Sequence, residues 1–119
     1  MRPAHVVALH TYPVKDEPGV DHEAVPVESE GLAGDRRKKA PVSIIGNDSP
    51  GTRANVVLDV PSAEIEGLVG SVLRVGDVLL AVERTAGSCP GVYAAVGRTG
   101  VLHTGDEAIV EAGDQGSHR

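Results

Sequence analysis

Apolar residues come along this chain in short bursts that alternate with polar ones at a period near two, and glycine or proline closes almost every burst. The segments Val6 to His10, Ala24 to Glu28, Val42 to Ile45, Asn55 to Leu58, Ser71 to Val75, Val78 to Glu83, Val101 to Thr104 and Ala108 to Glu111 read as β-strands. Pro26 falls inside the second of these. Proline has no N–H to give to a ladder, so that strand is expected at a sheet edge or a bulge. Ser62 to Leu68 has helical spacing, with Ser62 as the expected N-cap and carboxylates in the first turn. Val92 to Val96 fits either a strand or a helix. Many short strands, close turn signals and no long helix predict a mostly-β, compact, barrel-like domain with at most one or two short helices.

Composition sharpens this picture. There is no Phe or Trp, so the core must be built from Val, Leu, Ile and Ala, while 15 glycines and 8 prolines supply the corners. A chain of 119 residues is expected to form a single domain, with its core over residues 5–111 and a flexible tail over 112–119. Val72-Leu73-Arg74-Val75-Gly76-Asp77 is echoed by Val101-Leu102-His103-Thr104-Gly105-Asp106, which predicts two hairpins with the same Gly-Asp turn.

The formal net charge of −6 argues against nucleic acid as a partner, as does the shortage of aromatics, since only Tyr12 and Tyr93 could stack on bases. No apolar run approaches a membrane span or a signal peptide, so no membrane association and a cytoplasmic location are expected. The single cysteine excludes an intramolecular disulfide and a zinc framework, and the 5 histidines lack metal-ligand spacing. Glycine-rich dinucleotide, Walker and nucleophile-elbow motifs are absent.

Two features carry candidate chemistry. Cys89 lies in Gly87-Ser88-Cys89-Pro90-Gly91, directly after the strongest strand signal, where a turn could present the thiol to a ligand. Arg36-Arg37-Lys38-Lys39 follows the glycine-containing turn Gly31 to Asp35, and Lys15, Arg53 and Arg98 also fall near loops. Guanidinium groups beside a glycine-rich backbone suit a phosphate.

Several segments together resemble the MOSC domain, the module similar to the C-terminal part of molybdenum cofactor sulfurases. They are Tyr12-Pro13-Val14-Lys15, Gly31-Leu32-Ala33-Gly34-Asp35-Arg36, Arg53-Ala54-Asn55, Leu73-Arg74-Val75-Gly76-Asp77, Cys89, and Gly91-Val92-Tyr93-Ala94 leading to Gly105-Asp106. Their order holds from Val6 to Val110. The resemblance implies a β-rich barrel and sulfur or molybdenum chemistry at Cys89, as a persulfide site or as a metal ligand if molybdenum cofactor is bound. By the same analogy Lys15, Arg36, Arg53, Asn55 and Arg98 would hold the pterin and its phosphate. The pyridoxal-phosphate desulfurase domain associated with the family is not in this sequence, so a cysteine desulfurase-like donor or a molybdoenzyme is the expected partner. The expected role is a sulfur carrier or cofactor-binding protein. A molybdenum-dependent oxidoreductase acting on N-hydroxylated substrates and a non-catalytic β-barrel interaction domain are the alternatives.

Overall fold

The computed structural model describes residues 2–36 and 40–112. Arg37, Lys38 and Lys39 of the basic cluster and all but the first residue of the expected tail therefore lie outside the described residues. Among the described residues, eleven strands and one helix run in the order β1 (Ala4–Thr11), β2 (Val20–His22), β3 (Ala24–Glu28), β4 (Gly31–Leu32), β5 (Val42–Gly46), β6 (Val56–Leu58), α1 (Ser62–Glu66), β7 (Val72–Val75), β8 (Val78–Thr85), β9 (Val92–Arg98), β10 (Gly100–His103) and β11 (Glu107–Ala112). Every expected strand forms, and the Val92 to Val96 segment resolves as β9, held between β5 and β8.

Seven strands close a barrel in the order β11-β7-β8-β9-β5-β6-β1, and β1 returns to β11 through Ala4–Ala108 and His5–Glu107. The mostly-β barrel expected from the pattern is the fold observed. Alternate residues of each strand face inward: Val78, Leu80 and Val82 of β8, Val92 and Ala94 of β9, Val42 and Ile44 of β5 are all buried. The smaller sheet β10-β3-β4 packs Val25, Val27, Leu32 and Leu102 into the same core, so the described residues share one hydrophobic interior. Among the described residues, no helix is long and apolar enough to cross a membrane.

Three local expectations are corrected. β3 sits at the centre of its sheet rather than at an edge. Its proline is tolerated because β4 pairs only with Val27 and Glu28; the Pro26 carbonyl accepts the Ala33 N–H just beyond that two-residue strand, and the missing donor points to the same unladdered side. Ser62 does not cap α1: the cap position is Pro61, the Ser62 hydroxyl accepts the Gly46 N–H at 2.9 Å, and the orphan Ser62 N–H is taken by Asp48 Oδ1 at 2.9 Å. The helix borrows its cap from another loop. Finally, only the first Gly-Asp pair closes a hairpin, between Val75 and Val78. The second carries the chain from the small sheet into the barrel, because β10 pairs with β3 while β11 pairs with β7 and β1.

One irregular connection shapes the barrel surface. β5 and β6 are parallel neighbours, so the chain leaving Gly46 must travel back along the barrel before Val56 can pair with Ile44. A parallel pair ordinarily needs a dozen or more connecting residues, commonly a helix. Here residues 47–55 make the return as an irregular strap across the barrel surface, and Arg53, Ala54 and Asn55 lie at its end.

Candidate functional site

The strap, the β1–β2 connection and the loops before β5 and β9 enclose a cleft with two adjoining lobes. The first has a volume of about 200 Å³ and is walled by Tyr12, Asp35, Arg36, Arg53, Asn55 and Tyr93. The second, about 360 Å³, has Cys89 and Pro90 on one wall with Arg53, Tyr93 and the aliphatic Ile45, Ala54 and Val92 around it. Ser43, Arg53 and Tyr93 belong to both. Arg53 is thus the cation common to the two lobes.

Cys89 is exposed. Its loop departs from the end of β8 and is held by the Ala86 N–H on the Gly91 carbonyl at 3.0 Å and the Cys89 N–H on the Ala86 carbonyl at 3.3 Å. Gly91 has φ +93, and a β-carbon there would collide with the Ile44 carbonyl, so the chain can turn back into β9 only with glycine at this point. From outside the loop, the Glu66 carboxylate of α1 accepts the Gly91 N–H at 2.9 Å.

Arg53 is fixed by neighbours rather than by an ion pair. Its guanidinium carbon lies 4.2 Å from the centroid of the Tyr12 ring, and Nη1 donates to the Glu17 carbonyl at 2.8 Å. The Glu17 carbonyl is presented by a turn from Val14 to Glu17 in which Asp16 takes φ 65, a left-handed conformation uncommon for a non-glycine residue. Tyr12 is pinned in turn: its hydroxyl accepts the Ala54 N–H at 3.2 Å and donates to the Ala54 carbonyl at 3.3 Å. Gly19 lies so close that a β-carbon would sit 2.5 Å from the ring. Burial pushes the Tyr12 hydroxyl above its ordinary value, against the lowering effects of the Ala54 bond and the Arg53 charge.

Asn55 is buried at 4% exposure, and all its side-chain capacity is used within the protein. Its Oδ1 accepts from the Ser43 N–H at 2.9 Å and the Ser43 hydroxyl at 3.2 Å; its Nδ2 donates to the His10 carbonyl at 3.2 Å and to Asp35 Oδ2 at 3.1 Å. Asp35 Oδ1 accepts the Tyr12 N–H at 2.7 Å. Asn55 is therefore a bracket joining β1, β5 and the Asp35 turn, and a ligand would find none of its groups free.

No protein-family model matches the chain, and no curated protein matches it. Among solved structures, the YuaD protein from Bacillus subtilis has a similar fold, with a TM-score of 0.71 and 17% identity over 89% of this chain and 94% of that one. A hypothetical protein matches with a TM-score of 0.71 and 13% identity over 91% of this chain and 68% of its own. Likeness at these identities concerns the fold alone.

Of the residues expected at a site, the structure brings Arg36, Arg53, Asn55 and Cys89 to one cleft. Arg36 and Arg53, which follow separate glycine-containing turns, wall the same lobe. Lys15 is exposed in the Val14–Glu17 turn and lines neither lobe. Arg98 is excluded. It lies five positions beyond Tyr93 on β9, about 16 Å at strand rise, and its Nε donates to the Asp77 carbonyl at 2.9 Å beside the β7–β8 hairpin. Tyr12 and Tyr93 are site walls that the sequence pattern did not single out. Their signal was that the only two large aromatics of the chain each lie at a strand end, Tyr12 beside Pro13 and Tyr93 two residues after Gly91.

Proposed function

We propose that this protein is a sulfur carrier or molybdenum cofactor-binding protein whose reactive group is the Cys89 thiol, as its resemblance to MOSC domains implies. The observation that carries this reading is the convergence, in one cleft, of an exposed thiol with two guanidinium groups contributed by separate loops. In a chain of net charge −6, such a concentration of cations beside a nucleophile is not a by-product of composition.

The donor set fits the cofactor. Arg36 and Arg53 would take the phosphate, the flat rings of Tyr12 and Tyr93 would border the pterin, and Cys89 is a soft donor matched to high-valent molybdenum. When bound, the cofactor would supply a metal centre for which the thiolate is a ligand. Asp35 opposes an anion in the first lobe, where its charge is set against the two guanidinium groups; its oxygens accept the Tyr12 N–H and an Asn55 amide hydrogen, which hold it in place.

As a carrier, the Cys89 thiolate attacks the terminal sulfur of a donor persulfide. The new bond is Cys89 Sγ–S, the bond broken is the donor's own S–S, and the donor leaves as a thiolate, so no external oxidant or reductant enters. The thiol is exposed, so a donor can reach the sulfur directly.

The test is the intact mass of the protein after exposure to a cysteine desulfurase with cysteine. Added mass equal to one sulfur atom, removed by cyanide and absent in Cys89→Ala, supports the carrier role. Metal and pterin analysis of protein made in a host that synthesises the cofactor checks the binding role. A protein that takes neither sulfur nor cofactor is the non-catalytic barrel domain of the alternative reading.

A further inference from the structure

The thiol lobe is walled by no carboxylate among the described residues, although 17 of the chain's residues are Asp or Glu. Its charged wall is Arg53, which makes no ion pair with any described residue. This guanidinium is also held in place before any ligand arrives, by the Tyr12 ring at 4.2 Å and the Glu17 carbonyl at 2.8 Å. With Nη1 bound to Glu17, its remaining N–H groups have no hydrogen-bond partner among the described residues, and the residue lines both lobes. A fixed, unneutralised guanidinium between a second arginine and a nucleophile selects for one kind of molecule: a small anion whose charged end binds at Arg53 while its other end meets the thiol.

We propose that Cys89 takes its sulfur from a small anionic sulfane donor, of the thiosulfate or thiosulfonate class, and that Arg53 is the residue that selects it. This rests on the sulfur-carrier reading and names the donor that reading leaves open. The balanced step is attack of the Cys89 thiolate on the outer sulfur of thiosulfate. A Cys89 Sγ–S bond forms, the S–S bond of thiosulfate breaks, and its electron pair leaves with sulfite, so that Cys–S⁻ and S₂O₃²⁻ become Cys–S–S⁻ and SO₃²⁻. Arg53 binds sulfonate oxygen in the ground state and gains strength as negative charge moves onto the departing sulfite. A protein-bound persulfide carries a single charge on the sulfur itself and offers the guanidinium no oxyanion to hold, so it gains less from this arrangement.

The experiment measures sulfur loading of Cys89 by intact mass, and sulfite release, with thiosulfate on one arm and a desulfurase-generated persulfide on the other. Wild type, Arg53→Met and Arg53→Lys are compared, with iodoacetamide alkylation as a charge-neutral control on the thiol. We expect thiosulfate to load the wild type with one sulfite released per sulfur bound. Loading of Arg53→Met should be about tenfold slower or worse, of Arg53→Lys intermediate, and the wild-type rate should fall with added salt. Iodoacetamide should react at similar rates in all three, since Arg53 is exposed and its replacement leaves the barrel intact. If the desulfurase persulfide loads Cys89 and thiosulfate does not, the anionic donor is overturned while the carrier reading stands. If neither loads it, both fail. Equal thiosulfate rates in wild type and Arg53→Met would overturn the role of Arg53, and a matching drop in iodoacetamide reactivity would reassign it to the shape of the thiol loop.

Discussion

Asn55 and Cys89 line neighbouring lobes of one cleft, yet they are built on opposite terms. Asn55 is buried and tied by both amide hydrogens and by its carbonyl oxygen to β1, β5 and Asp35. The Cys89 thiol is exposed, and its loop is fastened by a few backbone bonds and one carboxylate from α1. The arginine lobe is thus part of the scaffold, whereas the thiol lobe is attached to it. Stability and reactivity are assigned to different walls of the same space, and Arg53 stands between them.

The largest effect expected from this division is at Asn55. Truncation in Asn55→Ala leaves the Ser43 N–H, the His10 carbonyl and Asp35 without their buried partner and should cost about 3 kcal/mol in denaturant unfolding. A loss below about 1 kcal/mol would show that water replaces the bracket and that the two lobes do not differ in this way. Gly91→Ala comes next, at about 2 kcal/mol, because it combines a positive φ with a collision against the Ile44 carbonyl. Gly87, the other thiol-loop glycine at positive φ, has open space where a β-carbon would sit and should cost less. Tyr12→Phe removes the hydroxyl that bridges both backbone groups of Ala54 and should lower stability by about 1 kcal/mol while the stacking on Arg53 persists.

A smaller effect is expected from Asp48, on the strap that both lobes share. The Ser62 N–H holds its carboxyl below the ordinary value of 3.8, so the charged form favours the folded state. That contribution is complete above 3.8 and is lost as pH falls through the lowered folded value; denaturant midpoints measured across this range should fall less steeply in Asp48→Asn than in wild type. Cys89→Ser closes the series. It should change stability by less than about 0.5 kcal/mol while abolishing sulfur loading, and a larger loss would make the thiol a packing residue after all.

Much of the barrel was legible in the sequence because a period-two pattern states directly which side chains face inward. Val78, Leu80 and Val82 are a clear case. What could not be read was pairing between distant segments. Nothing local to Ser62 distinguishes a cap from a residue that serves Gly46, and nothing local to Gly105-Asp106 says that its flanking strands belong to different sheets. The candidate site divides in the same way. Arg36 and Arg53 were found through their chemistry and their turns, and the closed barrel brought the turns together. Arg98 satisfied the same local criteria but lies toward the other end of β9, a fact contained in strand direction rather than in residue type. Asn55 lines the cleft, but its amide is spent within the protein, and sequence cannot show that an amide already has its partners.

The seam of the barrel joins Ala4 and His5 to Ala108 and Glu107, and the Gly105-Asp106 turn reinforces it by exchanging backbone hydrogen bonds with Val6. Closing a loop of about a hundred residues carries a larger entropic cost than closing any hairpin in the fold, so this contact belongs to the late, slow part of folding. β1, which supplies the His10 carbonyl for Asn55, is paired along its later residues with β2 and β6, while β11 meets it at Ala4 and His5. The seam thus lies at the far end of β1 from His10 and Tyr12, so the end of the strand that walls the arginine lobe is held by β2 and β6 whether or not the barrel has closed.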